Sequence, residues 1–154
     1  MVIYKNRWAV REFKEADFEQ VKNVWTQTGL ARPERADTLQ TILKTISHGG
    51  TLLVLEDLKE NIIVGTSWIT NDGRRLHLQY FGILPGYQGQ KLSHFLMAES
   101  LKFAQKQGLQ IKLEVHKTNF KAINLYKKWG FKCLDGYQIY ILRDIKNIDF
   151  GLVD

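Results

Sequence analysis

Residues 81–94, FGILPGYQGQKLSH, are one of three stretches whose residue types and spacing suit them to chemistry. An apolar run ends at Ile83, Pro85-Gly86 turns the chain, and Gln88-Gly89-Gln90-Lys91-Leu92-Ser93-His94 leads into an amphipathic helix. The first N–H groups of a helix have no intrahelical acceptor, and the helix dipole adds positive character there. Such a strand–loop–helix junction suits an anion such as a pyrophosphate. It also occurs as a plain connection, since Gly-bearing turns before helices are common.

In the second stretch Ile111, Leu113 and Val115 alternate with Lys112, Glu114 and His116. Strand periodicity turns Glu114 away from the more apolar side. A carboxylate there is either a solvated surface group or a general base. An amine with a pKa of about 10 is neutral only about one part in a thousand at pH 7, so amine chemistry needs a proton acceptor. His77 and His116 are the rival bases. The third stretch runs from Asn119 to Phe131 and places Ala122, Leu125, Tyr126 and Trp129 on one helical face, closed by Gly130. Leu125 and Trp129 read as core. A buried Tyr126 phenol needs a hydrogen-bond partner, and it suits either structure or proton donation. Asn119 suits a helix cap. Lys127 and Lys128 suit either phosphate contact or solubility.

These residues resemble the GNAT superfamily of N-acetyltransferases. The loop resembles the family pattern Gln/Arg-x-x-Gly-x-Gly/Ala: Gln88 matches, whereas Lys91 and Ser93 stand at the two small positions. The later stretch resembles Asn-x-x-Ala-x-x-Leu-Tyr with a Gly-Phe exit, matched in order and spacing by Asn119, Ala122, Leu125, Tyr126, Gly130 and Phe131. The resemblance covers roughly residues 75–135. It implies acetyl-CoA as acyl donor. The backbone of Phe81, Gly82 and Ile83 would pair with the pantetheine arm. Gln88, Gly89, Gln90, Lys91, Leu92, Ser93 and His94 would form the pyrophosphate loop, and Asn119 would touch the pantetheine. Tyr126 would protonate the departing CoA sulfur. Glu114 resembles the general base in the Leu-Glu-Val site of family members that acetylate protein N-termini.

Lys91 is expected in the first turn of the helix with ordinary right-handed angles, its N–H toward the pyrophosphate and its ammonium near a phosphate. A positive φ at this position would cost about 1–2 kcal/mol.

The elements that must position these groups follow from periodicity. Residues 7–13 predict a strand. Phe18, Val21, Val24 and Trp25 mark a helix over 16–28, and Leu39, Ile42, Leu43 and Ile46 mark a second, stopped by His48-Gly49-Gly50. Strands are expected at 51–56, 62–69 and 75–83, with Asn71-Asp72-Gly73 as a hairpin. A helix over 91–107, a strand at 110–115, a helix from Asn119 to Trp129 and a last strand at 137–142 complete the order β-α-α-β-β-β-α-β-α-β. Hairpins require antiparallel neighbours and helical crossovers parallel ones. The fold class is therefore mixed α/β: a GNAT-like, mostly antiparallel central sheet flanked by helices, in a single domain over 1–154.

The bulk properties agree with that reading. The 154 residues carry a net charge of +6, with basic residues dispersed rather than clustered. That balance favours anionic partners and gives little specific support to a nucleic-acid module. No apolar run approaches a membrane span, and Met1–Arg11 lacks the features of a signal peptide, so a cytoplasmic location is expected. Cys133 is the single cysteine, and four histidines show no metal-ligand spacing, so no metal is expected. The expected function is direct acetyl transfer from acetyl-CoA to an amine. The acceptor is left open among small polyamine, amino acid, aminoglycoside and protein N-terminus, as is a homodimer. The rival from another class is an acyl-CoA sensor that binds without turnover.

Overall fold

The meander over residues 51–83 organises the sheet. Its three strands, β3 (Thr51–Asp57), β4 (Ile62–Asn71) and β5 (Arg75–Ile83), pair antiparallel. Asn71-Asp72-Gly73 makes the turn between the last two: Gly73 takes a φ of 84°, and the Asn71 side chain accepts from its N–H at 2.8 Å. Most of β3 and β4 is buried on both faces, which accounts for their nearly unbroken apolar runs.

The computed structural model describes residues 1–32, 34–35 and 37–148. Helix α1 (Phe18–Gln27) buries Val21, Val24 and Trp25, and α2 (Leu39–Ser47) buries Ile42. Thr38 caps α2, its hydroxyl accepting from the Thr41 N–H at 3.2 Å. Both helices cover one face of β4. The Trp25 indole donates to Thr66 Oγ1 at 3.0 Å, and the Trp68 indole donates to Thr45 Oγ1 at 2.9 Å. Helix α3 (Leu92–Gln107) covers the opposite face, where the Ser67 and Ser100 hydroxyls meet at 2.7 Å. Successive strand residues point to opposite faces, so Thr66, Ser67 and Trp68 alone fix which helix lies where.

At one edge β2 (Trp8–Glu12) pairs with β3, and β1 (Val2–Tyr4) forms a hairpin with β2. The sequence reading missed β1. Three residues carry too little alternation to register, and its turn uses Lys5 and Asn6 at positive φ rather than a glycine. At the other edge α3 crosses over to β6 (Gln110–Leu113), which runs parallel to β5. The sheet order is β1-β2-β3-β4-β5-β6, antiparallel except for the last pair. The mixed, mostly antiparallel class expected from sequence is the one observed.

By internal packing the chain divides into two units, Met1–His116 and a second that begins at Lys117. The second contains α4 (Phe120–Lys128), and Asn119 caps it by accepting from the Ala122 N–H at 3.2 Å. The strand expected at 137–142 is not formed; those residues are irregular. Alternating apolar residues make a segment able to pair, but only hydrogen bonds to a neighbouring edge make it a strand. For the same reason β6 stops at Leu113, two residues before the expected end at Val115.

Candidate active site

In β5 the site begins with an irregularity. Between the pairs Thr66–Gly82 and Trp68–Gln79, β4 advances two residues while β5 advances three. The extra residue is a bulge, which bends a strand and re-aims its side chains. Tyr80 lies within it at a φ of 49°, and the Thr66 hydroxyl donates to the Tyr80 carbonyl at 2.8 Å. Pairing with β6 covers only Arg75–Leu78, so β5 continues to Ile83 beyond the end of that ladder.

Phe81, Gly82 and Ile83 form that continuation. A Cβ on Gly82 would come within 2.9 Å of Leu30 Cδ1 and 3.4 Å of Thr28 Cγ2, so the bare backbone is what lets the end of α1 approach. Behind Ile83 stands Gly65, where a Cβ would lie 2.5 Å from Ile83 Cδ1.

From there the chain turns through a short 3-10 segment, Pro85–Tyr87. Gln88 ties the loop back to the strand, its side-chain amide donating to the Ile83 carbonyl at 2.9 Å. Gly89 follows at a φ of 81°, then Gln90. Lys91 departs from expectation. It is the cap residue of α3 rather than part of its first turn, and it lies in the left-handed region at φ 62°, ψ 14°. The chain must reverse hand to enter the helix here, and this explains why a glycine would suit the position. No side chain caps α3, and Leu92, Ser93 and His94 form its opening turn. The His94 N–H donates to the Lys91 carbonyl at 3.0 Å. The left-handed loop and the opening turn keep backbone donors at the helix start, the arrangement that suits an anion.

Glu114 follows β6 by one residue, just past the last pair of the parallel ladder, Leu78–Leu113. Lys112 is paired with His77 on β5. Burial holds the half-buried His77 imidazole below its usual value, Lys112 and Arg35 add to that effect, and Glu114 opposes it.

In the second unit Asn119 and Tyr126 share α4. Ala122, Ile123, Leu125, Tyr126 and Trp129 are its less exposed residues, while Lys121, Lys127 and Lys128 are exposed. The helix ends in a Schellman motif: Phe131 N–H donates to the Tyr126 carbonyl at 3.1 Å, and Gly130 N–H donates to that of Lys127 at 3.0 Å. Gly130 supplies the left-handed φ of 87°. The Tyr126 and Phe131 rings meet at 5.7 Å between centroids, the apolar contact that accompanies this motif. The Tyr-Gly-Phe spacing thus has a local reason, independent of chemistry. Burial pushes the Tyr126 phenol up to about 12, so it stays protonated at neutral pH and can donate.

Among the described residues no group of three or more His, Cys, Asp or Glu side chains could hold a metal ion. No described helix is long and apolar enough to cross a membrane.

Sequence reasoning missed the surroundings of Tyr80. Its hydroxyl donates to the Asp37 carboxylate and accepts from Arg35 Nη1 at 3.3 Å. A tyrosine inside an apparently regular strand gives no sequence signal of a bulge.

Comparison with solved structures places this fold among acetyltransferases. A Trypanosoma brucei acetyltransferase superposes with a TM-score of 0.67 at 20% identity, over 88% of this chain and 99% of that one. Glucosamine-6-phosphate N-acetyltransferase from Arabidopsis thaliana gives 0.68 at 12% identity, over 88% and 97%. A GNAT family acetyltransferase from Elizabethkingia anophelis, solved with acetyl-CoA bound, gives 0.62 at 15% identity, over 85% and 80%. At these identities the likeness is one of fold. The model of the acetyltransferase (GNAT) family matches residues 8–131, from the second strand through the Gly-Phe exit of α4, and the chain belongs to that family.

Proposed function

We propose that this chain is an acetyl-CoA-dependent N-acetyltransferase acting as one GNAT domain. The family match runs from residue 8 to residue 131 and so takes in residues of both compact units, which supports reading the chain as one family domain. The observation that carries the reading is the continuous path from the bulged end of β5, through the Gln88 tie and the left-handed Gly89 and Lys91, to the uncapped start of α3. It offers strand backbone for an extended arm and helix-start donors for a pyrophosphate, two adjoining parts of a CoA molecule.

In this reading the backbone of Phe81–Ile83 pairs with pantetheine and Asn119 lies along it. Gln88–His94 holds the pyrophosphate. The amine nitrogen attacks the thioester carbonyl carbon, the C–S bond breaks as the amide C–N bond is completed, and no acyl-enzyme forms. The amine loses a proton to Glu114, directly or through water, and Tyr126 gives a proton to the departing thiolate. The protonated Tyr126 phenol suits that role. Much of the rate would come from holding amine and thioester in line.

Two measurements test the reading. Acetyl-CoA at millimolar concentration should raise the melting temperature, because a ligand of the folded state stabilises it by mass action. A CoA-release assay across spermidine, lysine, neamine and an N-terminal tetrapeptide should find turnover. Thermal stabilisation with no turnover on a broad panel would identify a sensor; the absence of both would sink the proposal.

A further inference from the structure

We infer that Tyr80 is a positioning residue for the acceptor: its hydroxyl holds Asp37 and Arg35 beside the bulge of β5, and the held pair recognises the incoming amine. This rests on the N-acetyltransferase reading and deepens it.

Tyr80 touches α1, β4 and the segment between α1 and α2. Its ring lies 4.6 Å from Trp25 of α1 and 5.5 Å from Trp68 of β4, centroid to centroid. Its carbonyl accepts from Thr66, whose hydroxyl accepts in turn from the Trp25 indole. Arg35, in the segment between α1 and α2, lies 5.6 Å from the Tyr80 ring centroid and donates to its hydroxyl, which donates to Asp37. An aromatic residue at a φ of 49° is strained, because its Cβ crowds the backbone. Strain of this kind persists only where the surroundings over-determine it, and it concentrates at functional sites.

The location gives the cluster its role. Tyr80 sits just past the last β5–β6 pair, Leu78–Leu113, where Glu114 leaves β6. Glu114, Lys112 and Arg35 are the charges that bear on the His77 imidazole. Packing against Trp25 and Trp68 would be served as well by phenylalanine. The hydroxyl adds only the links to Asp37 and Arg35. A carboxylate with one lone pair used by the phenol keeps further acceptor sites for an ammonium group. Burial, followed by the Asp37 contact, holds the Tyr80 phenol above its usual value, so it remains a donor.

The test compares Tyr80→Phe with Asp37→Asn, a partly exposed position that should not threaten folding. With the best acceptor from the panel of spermidine, lysine, neamine and tetrapeptide, each variant should raise the KM for that amine about tenfold, the usual scale for a lost charge-assisted hydrogen bond. The KM for acetyl-CoA should stay within about twofold, and the double variant should be no worse than either single one. Trypsin should also cleave faster after Arg35 in Tyr80→Phe. Unchanged amine KM in both variants, or an equal rise in acetyl-CoA KM, overturns the inference while leaving the transferase reading intact. A wild type that binds acetyl-CoA but acetylates no amine overturns both.

Discussion

The start of α3 and the end of α4 make the same demand on the backbone and meet it with different residues. Each needs one residue in the left-handed region where helix joins loop. At α4 the residue is Gly130, at φ 87°, followed by a Schellman closure and the Tyr126–Phe131 ring contact. At α3 it is Lys91, at φ 62°. Glycine adopts this conformation without steric cost, whereas a residue with a Cβ does so at about 1–2 kcal/mol. The family pattern is therefore intact at α4 in both residues and geometry. At α3 the conformation that favours glycine is present and the glycine is not. A departure from a motif does not by itself mean a departure from the backbone shape the motif encodes.

The largest effect should come from the chemistry at the intact end. Tyr126→Phe keeps the ring contact with Phe131 and the α4 closure, and it removes the proposed proton donor. Turnover should fall about 10²–10⁴-fold with little change in acetyl-CoA affinity, which steady-state kinetics would read. Unchanged turnover with a good acceptor would reduce Tyr126 to a part of the helix end.

Next in size are two changes that add a Cβ at one end and remove one at the other. Gly130→Ala meets no atom within 4 Å of its new Cβ, so its cost is purely conformational. Destabilisation of about 1 kcal/mol is expected, read as a shift in urea midpoint at constant slope. Lys91→Gly should have the opposite sign. It relieves left-handed strain but adds freedom to the unfolded chain, for a net gain of roughly 0.5–1 kcal/mol. The melting temperature should rise by about 1–4 °C. If Lys91→Gly is neutral or destabilising, the lysine makes contacts that outweigh its strain, and the two helix ends are less alike than their angles.

The smallest effect concerns the Lys91 charge. Lys91→Gly should weaken acetyl-CoA binding by several-fold at most, since exposed charge pairs contribute under about 1 kcal/mol. The loss should shrink as salt rises. Much tighter binding by the glycine variant would show that lysine obstructs the loop.

The amino-acid pattern alone determined several features. The three-stranded meander and its Asn71-Asp72-Gly73 turn were legible because alternation and turn chemistry are local. So were α1 and α2, the cap at Asn119 and the stop at Gly130, because helix ends depend on residues within a turn of one another. The spacing from Asn119 to Phe131 pointed to the family for the same reason: it records the two ends of a single helix. The tertiary structure decided the rest. The hand of Lys91 depends on how the loop after Ile83 must turn to reach α3, and no property of lysine announces it. The bulge at Tyr80 depends on the register between β5 and β4, which neither strand specifies by its own alternation. Whether 110–115 and 137–142 become strands depends on a partner edge, and β6 ends at Leu113 while the later segment stays irregular. The link from Tyr80 to Asp37 and Arg35 spans more than forty residues of chain. Local preferences act within a few residues, whereas strand pairing and side-chain contacts between distant segments exist only once the sheet has formed.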